Sequence, residues 1–224
     1  MIIYAGSLVN PALLKEVKCS CKIYDSAVMT LEEIIDLMEK NAKEANLVVR
    51  LHTGDPSIYG AIREQADLLS ARGVPYSVVP GVSSFCAAAA AMGAEYTRPG
   101  GSQTVILTRI EGRTPVPEKE NLSSLAQTGA SLCIFLSAGM AEKVQAALLK
   151  GGCRTDTPAA IVYKASWEDE RIVRTTVGSL KEEAEKSGIG KTALILVGDF
   201  LKEDFLRSKL YDGSFSHGFR EKNT

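Results

Sequence analysis

The 224-residue sequence has no Walker lysine motif, no G-x-G-x-x-G, no H-E-x-x-H and no G-x-S-x-G elbow. P-loop phosphoryl transfer, the Rossmann dinucleotide fingerprint, zincin chemistry and the hydrolase nucleophile therefore have no support. Histidine is scarce. With only His52 and His217, at unrelated positions, neither a zinc site nor a Ser-His-Asp arrangement is indicated. No C-x-x-C pair occurs among Cys19, Cys21, Cys86, Cys133 and Cys153; the odd count reads as reduced thiols of a cytosolic protein, mostly in the core. Charge of one sign is also missing: 26 Lys+Arg stand against 27 Asp+Glu, a formal net charge of -1. No global field draws nucleic acid or an anionic membrane, so an anionic ligand needs a local cationic cluster. No signal peptide and no apolar run long enough to cross a bilayer are visible, which makes cytoplasm the default.

What is present is a chain of 45% hydrophobic and 24% charged residues, ordinary for a globular protein. Its organising stretch is LVVRLHTGDPSIYG, Leu47–Gly60. The branched apolar run Leu47–Leu51 reads as a buried strand, and Thr53-Gly54 as the turn that ends it. Asp55-Pro56 then predicts a helix over Pro56–Ala71, with Asp55 either as its N-cap or as a ligand contact. A strand that feeds a helix through a glycine turn is where open α/β sheets bind ligands. The grammar recurs at once: Val74–Val79 as a strand, Pro80-Gly81-Val82-Ser83-Ser84 as a turn, and Phe85–Met92 as an alanine-rich helix. Ser83 and Ser84 thus sit where a helix N-terminus offers N–H groups and hydroxyls. Two such units in succession predict a parallel sheet with helices on its faces.

The remaining elements follow from periodicity. Met1–Ala5 and Lys22–Asp25 read as strands, Pro11–Val17 as a short helix capped by Asn10, and Thr30 with Glu33 as the capping box of a helix reaching about Ala45. Gly93–Gly101 lacks apolar periodicity and is the expected boundary between domains 1–97 and 98–224. Beyond it, strands are expected at Thr104–Thr108, Leu132–Leu136, Ala159–Tyr163, Arg171–Val177 and Ala193–Val197. Helices are expected at Asn121–Gln127, Met140–Lys150 and Leu180–Lys186. A polar tail with Arg207, Lys209, Arg220 and Lys222 closes the chain. His52 beside the floor loop has a structural reading as well as a catalytic one. Small-residue loops at strand ends, without a catalytic constellation, suit an enzyme that works by holding two reactants together.

The strings YAGSLVNP, HTGDPSIYGAIREQ, VVPGVSSFCAAAAA, QTVILTRIEGRTPVPE, LCIFLSAGM and RSKLYDGSFSHGFR together resemble the tetrapyrrole methylase family over nearly the whole chain. YAGSLVNP and TRIEGRTPVPE resemble its precorrin-4 / cobalt-precorrin-4 C11-methyltransferase branch. The resemblance implies a two-domain α/β fold, mainly parallel in the N-terminal sheet and mixed in the C-terminal one, with a ligand cleft between the domains. It implies methyl transfer from S-adenosyl-L-methionine to C11 of a reduced tetrapyrrole in cobalamin biosynthesis, by a homodimer. Carried over by position, the cofactor contacts are Thr53, Gly54, Asp55, Ile58, Ser83, Ser84, Ser137, Ala165, Thr192 and Ala193. The substrate's carboxylates call for cations. Arg109, Arg113 and Lys119 are the candidates, from a loop also read as a solvated mixed-charge segment with Glu111, Glu118 and Glu120. In-line transfer to an electron-rich ring carbon needs no covalent enzyme intermediate, and Tyr59 or Tyr163 are candidates for accepting a released proton. The family's usual beginning, a strand and a G-x-G-P-G-D-P type loop of roughly thirty residues in all, has no counterpart before Met1. The expectation from this is a chain impaired on its own unless another chain supplies that element. Rival readings are a sister methylase of another ring position and a non-catalytic binder of the cofactor or tetrapyrrole. A diphthine synthase would lack the TRIEGRTPVPE loop.

Overall fold

A computed structural model describes residues 1–44, 47–204, 206–216 and 218–221. The chain divides into two compact units, Met1–Cys86 and Ala87–Thr224. Lys222 and His217 lie outside the described residues.

Unit 1 is built on a three-stranded parallel sheet in the order β2-β1-β3, where β1 is Ile2–Tyr4, β2 Ile23–Asp25 and β3 Val49–Leu51. Ile3 has a ladder on both sides, opposite Tyr24 and Arg50, and is fully buried. Helix α1, Leu31–Lys43, starts where Thr30 accepts from the Glu33 N–H while the Glu33 carboxylate accepts from the Thr30 N–H. That reciprocal cap is the one its sequence predicts. Its Ile34, Ile35 and Met38 share one face and pack with Ile3 and, from helix α2 (Ile62–Ala71), Leu69. Each such side chain contributes roughly 1.5–3 kcal/mol on burial. Arg72, just past α2, bridges to Asp36 and Glu39 of α1.

Three expectations are corrected here. The run Leu47–Leu51 is a strand only at Val49–Leu51 and is not buried: among the described residues β3 pairs on one side only, and Leu47 is 81% exposed. Val74–Val79 is not a strand, because no described strand lies beside it to complete a ladder; Tyr76, Val78 and Val79 are exposed. The helix expected from Pro56 begins at Ile62 instead. Residues 55–61 form a folded turn, with Tyr59 and Ala61 in the left-handed region at φ 56° and 49°. Within it Gly60 lies so close to Pro56 that a Cβ would stand 2.0 Å from the proline carbonyl oxygen.

Unit 2 contains most of helix α3 (Ser84–Met92), whose first residues lie in unit 1, and a five-stranded mixed sheet of order β4-β5-β8-β6-β7. The strands are β4 Val105–Arg109, β5 Ser131–Phe135, β6 Pro158–Tyr163, β7 Arg171–Thr176 and β8 Ala193–Val197. β4 and β5 are parallel, while β8 runs against both β5 and β6, and β7 against β6. Helices α4 (Leu122–Ala126), α5 (Ala141–Lys150) and α6 (Leu180–Ser187) pack on this sheet. Their Leu122, Val144, Leu148 and Leu180 meet Ile134, Ile161 and Ile195 in one apolar core. The five cysteines are free, as expected, but only Cys133 is buried; Cys19 and Cys86 are exposed, on a loop and on the outer side of α3.

Candidate functional site

In unit 1 two glycine loops are folded into each other. The Asp55 carboxylate organises both: Oδ1 accepts from the Ser57 N–H at 2.9 Å and from the Ser57 hydroxyl, and Oδ2 accepts from the Gly81 N–H at 2.8 Å. Asp55 therefore caps its own turn and the facing loop, and no α-helix. The donors, Ser57 foremost, hold its carboxyl below the usual carboxylate range. Gly54, at φ 62°, faces the start of α3; a Cβ there would lie 3.3 Å from Ser83 Cα and from Ser84 N. At Gly81 a Cβ would fall 2.1 Å from the Gly54 carbonyl oxygen. Gly54, Asp55, Ser83 and Ser84 are thus brought together, with Thr53 exposed and Ile58 half-buried alongside. His52, the preceding residue, has its Nε2 buried without a hydrogen-bond partner among the described residues, and burial pushes its pKa down. It plays no part in the Asp55 network.

In unit 2 the antiparallel placement of β8 puts the C-terminal ends of β4, β5 and β6 at the same edge as the N-terminal end of β8. Arg109 pairs with Phe135 across β4 and β5, and Tyr163 with Ala193 across β6 and β8. This edge collects Arg109, Ser137, Ala165, Thr192 and Ala193, five candidates scattered over 85 positions of sequence (109 to 193). Four non-glycine residues at the same edge have left-handed backbone: Leu136 (φ 53°), Lys164 (48°), Ser166 (73°) and Thr192 (54°). Each such residue costs roughly 1–2 kcal/mol against an ordinary conformation. Strain concentrated in this way is characteristic of ligand-holding loops. Sequence reasoning missed Leu136, Lys164, Ser166 and Gly81, and it reached Thr192 only through the family resemblance, since nothing in a Leu, Lys, Ser or Thr signals positive φ.

The Ser137 hydroxyl is fully buried. It donates to the Phe135 carbonyl at 2.6 Å and accepts from the Ile110 N–H at 3.0 Å, joining the loops that follow β5 and β4. Ser137→Ala leaves the Ile110 N–H without that acceptor, and is expected to destabilise the chain by about 1–3 kcal/mol. A shift of the urea midpoint at unchanged m-value measures this.

Arg109 is committed within its own loop. Its guanidinium donates to the Thr114 carbonyl at 3.2 Å and to the Pro115 carbonyl at 2.6 Å, shaping residues 110–115. Arg113 and Lys119 are exposed further along that segment, Lys119 in a single 3₁₀ turn between Glu118 and Glu120. Of the tyrosines, Tyr59 is exposed on the turn of unit 1, while the Tyr163 ring has the Lys164 ammonium and the Arg171 guanidinium 5.0 and 4.8 Å from its centroid. Among the described residues no group of three or more His, Cys, Asp or Glu is placed to hold a metal ion.

Comparison with known proteins agrees with this architecture. The sequence model of the tetrapyrrole (corrin/porphyrin) methylases matches residues 1–181. A cobalt-precorrin-4 C(11)-methyltransferase of Methanocaldococcus jannaschii is 54% identical over 224 residues, covering 100% of this chain and 86% of its own length. The X-ray structure of a cobalamin biosynthetic enzyme, cobalt precorrin-4 methyltransferase, superimposes with a TM-score of 0.87 at 48% identity, over 90% of this chain and 84% of that one. A uroporphyrin-III C-methyltransferase from Thermus thermophilus, solved with S-adenosylhomocysteine, gives a TM-score of 0.72 at 25% identity, over 89% and 86% of the two chains.

Proposed function

The chain belongs to the tetrapyrrole (corrin/porphyrin) methylases, and from that premise we propose that it methylates C11 of cobalt-precorrin-4 in cobalamin biosynthesis, with S-adenosyl-L-methionine as donor. The observation that carries the reading is 54% identity along the full chain to an enzyme of that activity. The donor supplies an electrophilic methyl carbon whose bond to sulfur breaks as the new carbon–carbon bond forms, the sulfur keeping the electron pair.

The residues fit such a donor. At Gly81 there is no room for a side chain, and at Gly54 one would be crowded and held in left-handed backbone, so backbone groups are what these positions offer a ligand. The Asp55 carboxylate stays ionised through the neutral range and offsets a cationic amino or sulfonium group. In unit 2, Leu136 exposes an apolar side chain at the strained edge that also carries Ala165, Thr192 and Ala193, where an adenine face would be accommodated. Thr53, Ile58, Ser83 and Ser84 complete the donor-contact assignment, while the buried Ser137 acts by holding together the loops after β4 and β5.

For the tetrapyrrole's carboxylates the exposed Arg113 and Lys119 serve directly, with Arg109 holding the loop that carries Arg113. Arg113→Ala is expected to raise KM for the tetrapyrrole about tenfold at near-constant kcat. Arg109→Ala is expected to lower kcat as well, because the loop loses its shape. Unchanged KM in both variants removes the carboxylate clamp. The same proposal includes a homodimer acting in the cytoplasm. Free thiols throughout are consistent with a reducing compartment, and the dimer predicts twice the chain mass in sedimentation equilibrium. Among the described residues no helix is long and apolar enough to cross a membrane.

A further inference from the structure

The turn after β6 is braced by a cluster that none of the donor contacts assigned above includes. The Lys164 ammonium lies 4.7 Å from the centroid of the Trp167 ring and 5.0 Å from that of Tyr163, and 2.6 Å from Asp169 Oδ2. Its side chain is only 21% exposed, although it is a lysine on a surface turn. The backbone is fixed on both sides of it: the Lys164 N–H donates to the Thr192 carbonyl at 2.9 Å, and the Trp167 N–H to the Lys164 carbonyl at 2.9 Å. Ser166 is anchored separately, its N–H donating to Glu170 Oε2 at 2.7 Å.

Between the two left-handed residues, Lys164 and Ser166, stands Ala165. Its own N–H and C=O have no hydrogen-bond partner among the described residues. A backbone pair left open, on a turn held in an unfavoured conformation, is what a ligand-reading loop requires. The bracing is concentrated on Lys164. It bonds to the neighbouring strand through its backbone, and to both aromatic rings and a carboxylate through its side chain. A hydrophobic residue in its place keeps the stem and loses the attraction to the rings and to Asp169.

We propose that Lys164 is a positioning residue for the methyl donor, its caged ammonium holding residues 164–167 so that the Ala165 backbone is presented to the adenosine part. The inference rests on the placement of Ala165 in the donor site. It adds a residue that acts through that turn without touching the ligand. The Lys164 ammonium and the Trp167 indole are the active parts, and an arginine, which also stacks on aromatic faces, is the conservative replacement.

The test is calorimetric titration of the full chain and of Lys164→Met, Lys164→Arg and Asp169→Asn with S-adenosylhomocysteine, with steady-state kinetics and thermal melts alongside. Lys164→Met is expected to weaken binding about tenfold and to raise KM for the donor by a like factor, at kcat within about twofold. Lys164→Arg is expected to restore affinity to within about threefold, and Asp169→Asn to fall between. Trp167 is the sole tryptophan, so its emission reports this turn alone. Its change on titration is expected to share the calorimetric midpoint. If Lys164→Met lowers the melting temperature but leaves affinity unchanged, the residue is merely structural and the inference is overturned. Should that variant not fold, equal affinities of wild type and Asp169→Asn overturn it in the same way. Failure of the wild type to bind S-adenosylhomocysteine would instead remove the donor site itself.

Discussion

Gly81→Ala is expected to lower kcat/KM by about a hundredfold or more, since displacing a binding loop by an ångström is enough for a loss of that size. The added methyl would sit 2.1 Å from the Gly54 carbonyl oxygen, and the atom it meets is backbone. No rotamer change relieves such a contact, so the two loops must separate. With them goes the hydrogen bond from the Gly81 N–H to Asp55 and the close approach of Gly54 to Ser83 and Ser84. The substitution also restricts the unfolded chain, which by itself would stabilise. A drop in both melting temperature and donor affinity therefore identifies the steric cause. Gly218→Ala is the control: a Cβ there meets nothing within 4 Å, and activity is expected to be unchanged. Wild-type donor affinity in Gly81→Ala would show that the paired loops are not where the donor binds.

Asp55→Asn is expected to cost about 10- to 100-fold in donor affinity, through loss of a charged acceptor serving both loops. An amide nitrogen in place of one carboxylate oxygen cannot accept from either the Gly81 N–H or the Ser57 N–H. The pH dependence has a definite sign. The Asp55 carboxyl is held below its ordinary value of about 4 in the folded chain. Its contribution to stability is therefore fully present above the unfolded-state value and is lost as pH falls through the folded one. Donor binding by the wild type should be flat with respect to this group from neutral pH down to about 4 and weaken below it. In Asp55→Asn that acid limb should vanish. A limb that persists unchanged in the variant would assign the acid dependence to another group.

The fold was legible where local chemistry and burial agree. The Thr30–Glu33 cap and the apolar face of Ile34, Ile35 and Met38 mark α1 without ambiguity, and Leu132–Phe135 lie in the wholly buried β5, with Leu136 exposed just past its end. It was misread where a strand-like composition lacks a partner. Valines at 74, 78 and 79 satisfy every propensity rule, but a strand exists only through its ladder. Asp55-Pro56 is a faithful helix-start signal that here closes a turn instead, because Tyr59 and Ala61 carry the chain through left-handed backbone before α2 begins.

The candidate site divides along the same line. The pairing of Gly54 with Ser83 and Ser84 was visible as two similar turns in one stretch of sequence. The gathering of Arg109, Ser137, Ala165 and Thr192 at one sheet edge depends on the antiparallel insertion of β8 between β5 and β6, which no local pattern encodes. Side-chain assignments read from resemblance also changed in content once geometry was known. Arg109 holds its own loop through two carbonyls, and Ser137 joins two loops through one buried hydroxyl.

The most direct test of the account is single-turnover incubation of the chain with cobalt-precorrin-4 and S-adenosylmethionine carrying a ¹³C-methyl group, followed by NMR of the isolated product. One labelled methyl on C11, with one equivalent of S-adenosylhomocysteine, is the predicted result. Label on another ring carbon would make this chain a sister methylase, and bound tetrapyrrole with no S-adenosylhomocysteine released would make it a binder; either contradicts the account.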